Sequence, residues 1–186
     1  MVARLATPAA RAARDTLAAR RYLARLAHGT PRRKVRIRVG RPRPAGILLR
    51  YYRKAERRFH VAWEVLAAVN FVESAFGRVK SASVSGAQGP MQFMPATWRA
   101  YGMGGNVHDA HDAILGAANY LHASGAPRDY RRALYAYNHS TLYVNAVLRY
   151  TRRMARDRRA YYAYYSWQVF VRTPTGERRV TGPGLR

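Results

Sequence analysis

Apolar positions recur at helical spacing over most of the chain. In residues 3–28 Leu5, Ala9, Ala12, Leu17, Leu23 and Leu26 trace a loose stripe, predicting a helix that Gly29 and Pro31 end. The segment TPRRKVRIRVGRPRP is a basic connector. Its VRIRV stretch alternates and reads as a short strand or an extended arm, and Pro42 and Pro44 close it near a boundary at residue 45. A basic amphipathic helix follows over 47–60. A mostly apolar helix over 63–76 ends at Gly77. Residues 77–94 are rich in Ser and Gly and read as loop. Pro95 opens a short helix that stops at Gly102. Asp109 or Asp112 caps the next helix, AILGAANYLHAS, which Gly125 stops. Asp129 caps YRRALYAYN, and a further helix covers about 142–157. After the tyrosine-rich AYYAYYSW, the alternating stretches WQVFVRT and ERRVTG are joined by PTG, which predicts a β-hairpin. The class is mainly α, with three expected parts: a basic N-terminal helix and connector (1–45), a helical domain (46–158), and an aromatic segment with a hairpin (159–186).

Composition narrows the function. The chain of 186 residues can hold a real core, and 48% apolar residues exclude global disorder. There are no cysteines, so disulfides, thiolate metal sites and cysteine nucleophiles are excluded. The start, MVARLATPAARAARDTLAARR, has no uninterrupted apolar core and no clean cleavage site, so no secretory signal is expected in it. Net charge is +25, and its placement is uneven. Residues 1–60 hold 18 basic and 2 acidic side chains, 61–150 hold 7 and 5, and 151–186 hold 9 and 2. The flanks are therefore basic and the middle is nearly neutral. Such flanks suit a polyanion such as an acidic wall polymer, an anionic membrane surface or nucleic acid, or else are a solvated, compositionally biased surface.

One acid stands out. Glu73 lies within NFVESAF, and its helical neighbours are Leu66, Val69, Asn70, Phe76 and Gly77. It therefore shares the apolar face with one polar neighbour, Asn70, whereas Glu64 lies on the opposite face. An apolar setting raises a carboxyl pKa, and a carboxylic acid protonated near neutrality suits general acid catalysis at a glycosidic bond. A Glu that snorkels outward or pairs with Arg78 satisfies the same helix phase.

Two further segments bear on that choice. SVSGAQGPMQFMPATW, residues 83–98, sets Ser83, Ser85, Gln88, Met91, Gln92 and Met94 on a backbone path shaped by Gly86, Gly89 and Pro90. Amide and hydroxyl groups beside Met suit a sugar, with its apolar faces and polar fringe. ALYAYNHSTLYV then supplies Tyr137, Asn138 and Tyr143 at the junction of two helices.

ES at 73–74, GPMQ at 89–92 and AYN at 136–138 follow the order and approximate spacing of three motifs of the soluble lytic transglycosylases. The chain resembles this SLT-type, lysozyme-like family of glycoside hydrolase family 23 over roughly residues 45–150. It departs at Pro90, where the family usually has Leu, and at His139 and Ser140, where small residues are usual. The resemblance implies a lysozyme-like helical fold and cleavage of the β-1,4 bond between N-acetylmuramic acid and N-acetylglucosamine, leaving a 1,6-anhydromuramoyl end. It implies Glu73 as the catalytic acid and then base. Ser83, Met91, Gln92 and Met94 would line the cleft, Tyr137 and Asn138 would hold the N-acetyl sugar, and Tyr143 would hydrogen-bond the Glu73 carboxyl. It also implies no cofactor, peptidoglycan strands as partner, and action outside the cytoplasmic membrane by what is expected to be a monomer. Glu56 is the one other carboxylate of the region that helix phase and capping leave open.

HDAHD at 108–112 gathers two His and two Asp, but capping explains the Asp residues and no further ligand set is apparent, so no metal is expected. Tyr161, Tyr162, Tyr164, Tyr165 and Trp167 suit packing of the hairpin onto the helices better than sugar stacking. The rival readings are a hydrolytic muramidase, an arginine-driven nucleic-acid-binding protein and a non-catalytic wall-binding module. The nearly neutral motif region weighs against nucleic acid.

Overall fold

The computed structural model describes residues 7–28, 38–173 and 176–181. Eight helices are found among them: α1 (Thr7–His28), α2 (Ala45–Phe59), α3 (Trp63–Ser74), α4 (Pro95–Tyr101), α5 (Ala110–Ala123), α6 (Tyr130–Tyr137), α7 (Thr141–Arg156) and α8 (Arg159–Tyr165). Strands β1 (Val169–Thr173) and β2 (Gly176–Thr181) pair antiparallel, as the alternating stretches predict. The mainly α architecture expected from the periodicity is the one observed.

α3 is the centre of the body. Trp63 and Val65 to Asn70 are all buried, so this helix is apolar nearly all round rather than striped, as suits a core helix. α2 and α7 pack on it, and α2 also packs on α5. α1 lies along α7 through small residues, Ala19 being fully buried. Its single acid, Asp15, faces inward and pairs with Arg149 at 2.7 Å and Arg156 at 3.2 Å. Thr16 Oγ1 also meets Tyr164 Oη at 2.7 Å.

Caps fall where helix physics places them. Asp109 accepts from the backbone of His111 and Asp112 at the start of α5, and Asp129 accepts from Arg132 N in α6. Asp112 lies in the first turn instead, and its carboxylate holds Asn106 N at 3.0 Å. Of the VRIRV stretch, Val39 bridges Val79 in antiparallel fashion, and residues 35–37 lie outside the described residues. The aromatic segment forms a helix of its own, α8. Tyr161 and Tyr164 are buried against Phe71, Phe76 and Tyr150. Tyr161 Oη donates to Ala45 O at 2.8 Å and Tyr165 Oη to Arg43 O at 2.9 Å, so α8 also anchors the end of the connector. The sequence reading has these tyrosines seat the hairpin on the helices; in the structure they form a helix of their own and pack it against α2, α3 and α7.

Candidate active site at the end of the central helix

α3 is shorter than the periodicity predicts, stopping at Ser74 instead of Phe76. Ala75, Phe76 and Gly77 take φ values of 51°, 62° and 78°, three left-handed residues in succession. Only glycine adopts this cheaply. Phe76 N donates to Asn70 O at 3.1 Å, which closes the helix end. The Phe76 ring stacks on Phe71 and meets Tyr161 edge-on, and this packing holds the strained turn in place. Glu73 is thus the penultimate residue of a rigid helix that ends in a locked turn.

A buried polar network ties that helix end to the 83–94 loop. Tyr52 Oη donates to Asn70 Oδ1 at 2.6 Å, and Asn70 Nδ2 donates to Pro90 O at 2.7 Å. Ser74 Oγ also donates to Pro90 O and accepts from Gly77 N. The carbonyl of Pro90, the residue that departs from the family pattern, is therefore the fastening point of the loop. Gln88 and Phe93 exchange two backbone hydrogen bonds of 2.8 Å, which makes 89–92 a tight tip. Gly89 is required there: its φ is +74°, and an added Cβ would lie 1.9 Å from the Val107 carbonyl oxygen.

The sites expected from sequence fall into three groups. Tyr137, at the end of α6, and Tyr143, in the first turn of α7, both come to Glu73, whose charge helps raise the pKa of each phenol. Tyr137 Oη donates to Met91 O at 2.7 Å. Asn138, between those helices, is half-buried and caps α6 through its backbone N–H. The loop residues differ among themselves. Met94 is exposed; Gln92 is half-buried and turns its Nε2 back to Gly89 O at 2.9 Å; Ser83 is exposed and spends its Oγ on Ala87 N. Met91 corrects the sequence reading, because its side chain has no exposed surface and packs in the core. What it gives the site is the carbonyl that fixes Tyr137.

Burial pushes the Glu73 carboxyl up to about 7, while the residue keeps part of its surface open. The Tyr143 hydroxyl is the one group pulling that value down. It faces the carboxyl without closing a bond of ordinary geometry and has no other hydrogen-bond partner. A hydroxyl poised in this way can tighten onto the carboxylate once Glu73 loses its proton. Arg78 does not pair with Glu73; its guanidinium donates to Ala75 O and Tyr165 O.

The other carboxylates of the region stand elsewhere. Glu56 accepts from Trp63 N at 3.1 Å and pairs with Arg53, at the far end of α3 from Glu73. The Glu64 carboxyl is also raised by burial, but it lies in the first turn of α3, over two helical turns away. Asp109, His111 and Asp112 bring three potential ligand atoms within 4.8 Å. Their atoms are already engaged: Asp109 caps α5, Asp112 holds Asn106 N and meets His111 Nδ1, and His111 Nε2 meets the Lys54 ammonium at 2.9 Å. A cation adjacent to the imidazole opposes a second one.

Sequence reasoning missed Tyr52 and Tyr120. Tyr120 Oη donates to Ala136 O, bracing the AYN segment. The available signal was a phenol on an apolar helix face, since a buried hydroxyl needs a partner.

A family model, the transglycosylase SLT domain, matches residues 50–160. No curated protein and no solved structure matches the chain.

Proposed function

The chain belongs to the transglycosylase SLT domain family, and on that premise we propose that it cleaves the β-1,4 bond between N-acetylmuramic acid and N-acetylglucosamine with Glu73 as sole catalytic carboxylate. The observation that carries this reading is the Glu73 carboxyl, pushed up to about 7 by burial at the end of α3, with no second acid beside it among the described residues. The protonated carboxyl donates to the glycosidic oxygen as the C1–O bond breaks. The resulting carboxylate takes the proton of the muramoyl 6-hydroxyl as that oxygen bonds to C1. No water is consumed, and Glu73 ends protonated as it began. Retaining and inverting hydrolases ordinarily need two carboxylates, so a lone one favours the intramolecular route.

Around Glu73, Tyr143 steadies the carboxylate and Tyr137 holds the loop through Met91 O. Asn138, Gln92, Ser83 and Met94 are the proposed contacts to sugar. Residues 1–45 and 159–186 are proposed as appendages to the catalytic part, holding the enzyme near anionic wall polymers or lipid head groups outside the cytoplasm. Among the described residues no helix is long and apolar enough to cross a membrane.

The test is mass spectrometry of muropeptides released from purified peptidoglycan. Wild type should yield anhydromuramoyl ends and Glu73→Gln none. Reducing ends would make the protein a hydrolytic muramidase, and retained cleavage by Glu73→Gln would sink the assignment of the acid.

A further inference from the structure

A second feature lies away from Glu73. α1, the C-terminal half of α7 and α8 enclose an open groove of about 480 Å³ that shares no residue with the site above. Its walls are mostly apolar, with Leu17, Ala12, Ala163 and Trp167 prominent, and Arg20 and Arg153 line it as well. Leu17 is 44% exposed and adds to the apolar patch that the groove walls form with Ala163 and Trp167. At helical spacing it is surrounded by Arg14, Arg20 and Arg21, all exposed. No acid offsets them on α1, because Asp15 is turned inward onto Arg149 and Arg156. Arg20 also lies over the Trp167 ring, 5.5 Å from its centroid. Near the rim Asp157 is paired with Arg153 and accepts from Arg159 N.

We propose that this face docks on an anionic phospholipid bilayer, with Leu17 and Trp167 entering the interface and the surrounding arginines meeting lipid phosphates. Two observations select lipid over a dissolved polyanion. Charge alone would fit either, but a polyphosphate has nothing to place against an apolar groove. An acyl region beneath a phosphate layer matches both chemistries at the right depth. An aromatic ring with one polar end, such as that of Trp167, also favours that boundary. The consequence is orientation: the enzyme is held at the membrane face by surfaces that do not overlap the Glu73 site, leaving that site open to glycan. The docking does not depend on the reaction proposed above.

The full chain is tested by co-sedimentation with phosphatidylglycerol vesicles, phosphatidylcholine vesicles and soluble polyphosphate at physiological salt. Wild type should bind the phosphatidylglycerol vesicles and not the phosphatidylcholine ones. Leu17→Gln, a neutral change at an exposed helix position, should weaken vesicle binding roughly tenfold while leaving polyphosphate binding unchanged. Ala163→Gln, on the opposite wall, should act in the same direction. Arg20→Gln with Arg21→Gln should weaken vesicle binding about tenfold or more. Absence of vesicle binding overturns the proposal. So does binding that the Leu17 and Ala163 changes leave intact, or that falls equally for vesicles and polyphosphate. Cleavage of soluble glycan strands by the Leu17 variant separates a docking defect from a folding defect.

Discussion

Glu73→Gln should remove activity and, at neutral pH, add stability. The folded-state pKa of Glu73 is pushed up to about 7 from an ordinary value of 4.5. Between those values the native state holds a proton that the unfolded chain releases, so stability falls as pH rises through the window. A shift of this size corresponds to about 3 kcal/mol at 1.36 kcal/mol per unit, an upper bound because the residue keeps some open surface. Gln carries no such penalty. The difference in unfolding free energy, variant minus wild type, should therefore be nearly flat below pH 4 and rise by up to about 3 kcal/mol by pH 7–8. At roughly 2–4 °C per kcal/mol for a chain of this size, that is a gain on the order of 6–12 °C in Tm. Urea unfolding of both proteins across pH 4–8 provides the measurement. The pH dependence of the difference is the diagnostic quantity, since the cost of burying an amide and the titration of every other group cancel from it. A difference that stays constant from pH 4 to 8 would refute the claim that burial tunes this carboxyl, whatever happened to activity.

Tyr143→Phe removes the one group that lowers the Glu73 pKa, so the limb of the pH–rate profile that falls as Glu73 deprotonates should move to higher pH; a shift to lower pH contradicts the assignment. Because that hydroxyl closes no hydrogen bond of ordinary geometry, the same change should alter stability by less than about 1 kcal/mol in a urea melt. Asn70→Ala orphans the buried Tyr52 hydroxyl and loosens Pro90 O, and should cost about 1–3 kcal/mol with a rise in KM larger than any fall in kcat. Unchanged stability would mean that the network contributes nothing. Gly89→Ala forces a Cβ onto the Val107 carbonyl in a left-handed conformation and should displace the loop. We expect at least a tenfold loss of cleavage with the helical circular dichroism intact; wild-type turnover would show that the tip is free to move.

The helices were legible because their signals are local. A stripe at 3.6-residue spacing, Pro95 at a first turn, and Asp109 and Asp129 as caps act within one or two turns, and all of these appear in the structure. α8 was not legible, since AYYAYY has no polar face and its rings find their partners on α2, α3, α7 and the turn after α3. The end of α3 was misjudged for a similar reason: two left-handed non-glycine residues are tolerated only because Phe76 has an aromatic pocket. Met91 reads as a soft cleft residue from composition, yet the tight 88–93 turn directs its side chain inward.

By itself the sequence determined the mainly α class, the three motifs that mark the family, and the singular character of Glu73, an acid on an apolar helix with no obvious mate. It left open whether that acid was a snorkelling side chain or a desolvated one. Tertiary structure decided this, because desolvation depends on what covers a group, and the covering groups come from residues 137 and 143, more than sixty positions away. The same holds for Asp15 and for Leu17. Neighbours on one helix, one is drawn inward by the arginines of α7 and the other left at the mouth of an apolar groove, and only the packing of α1 on α7 and α8 tells them apart.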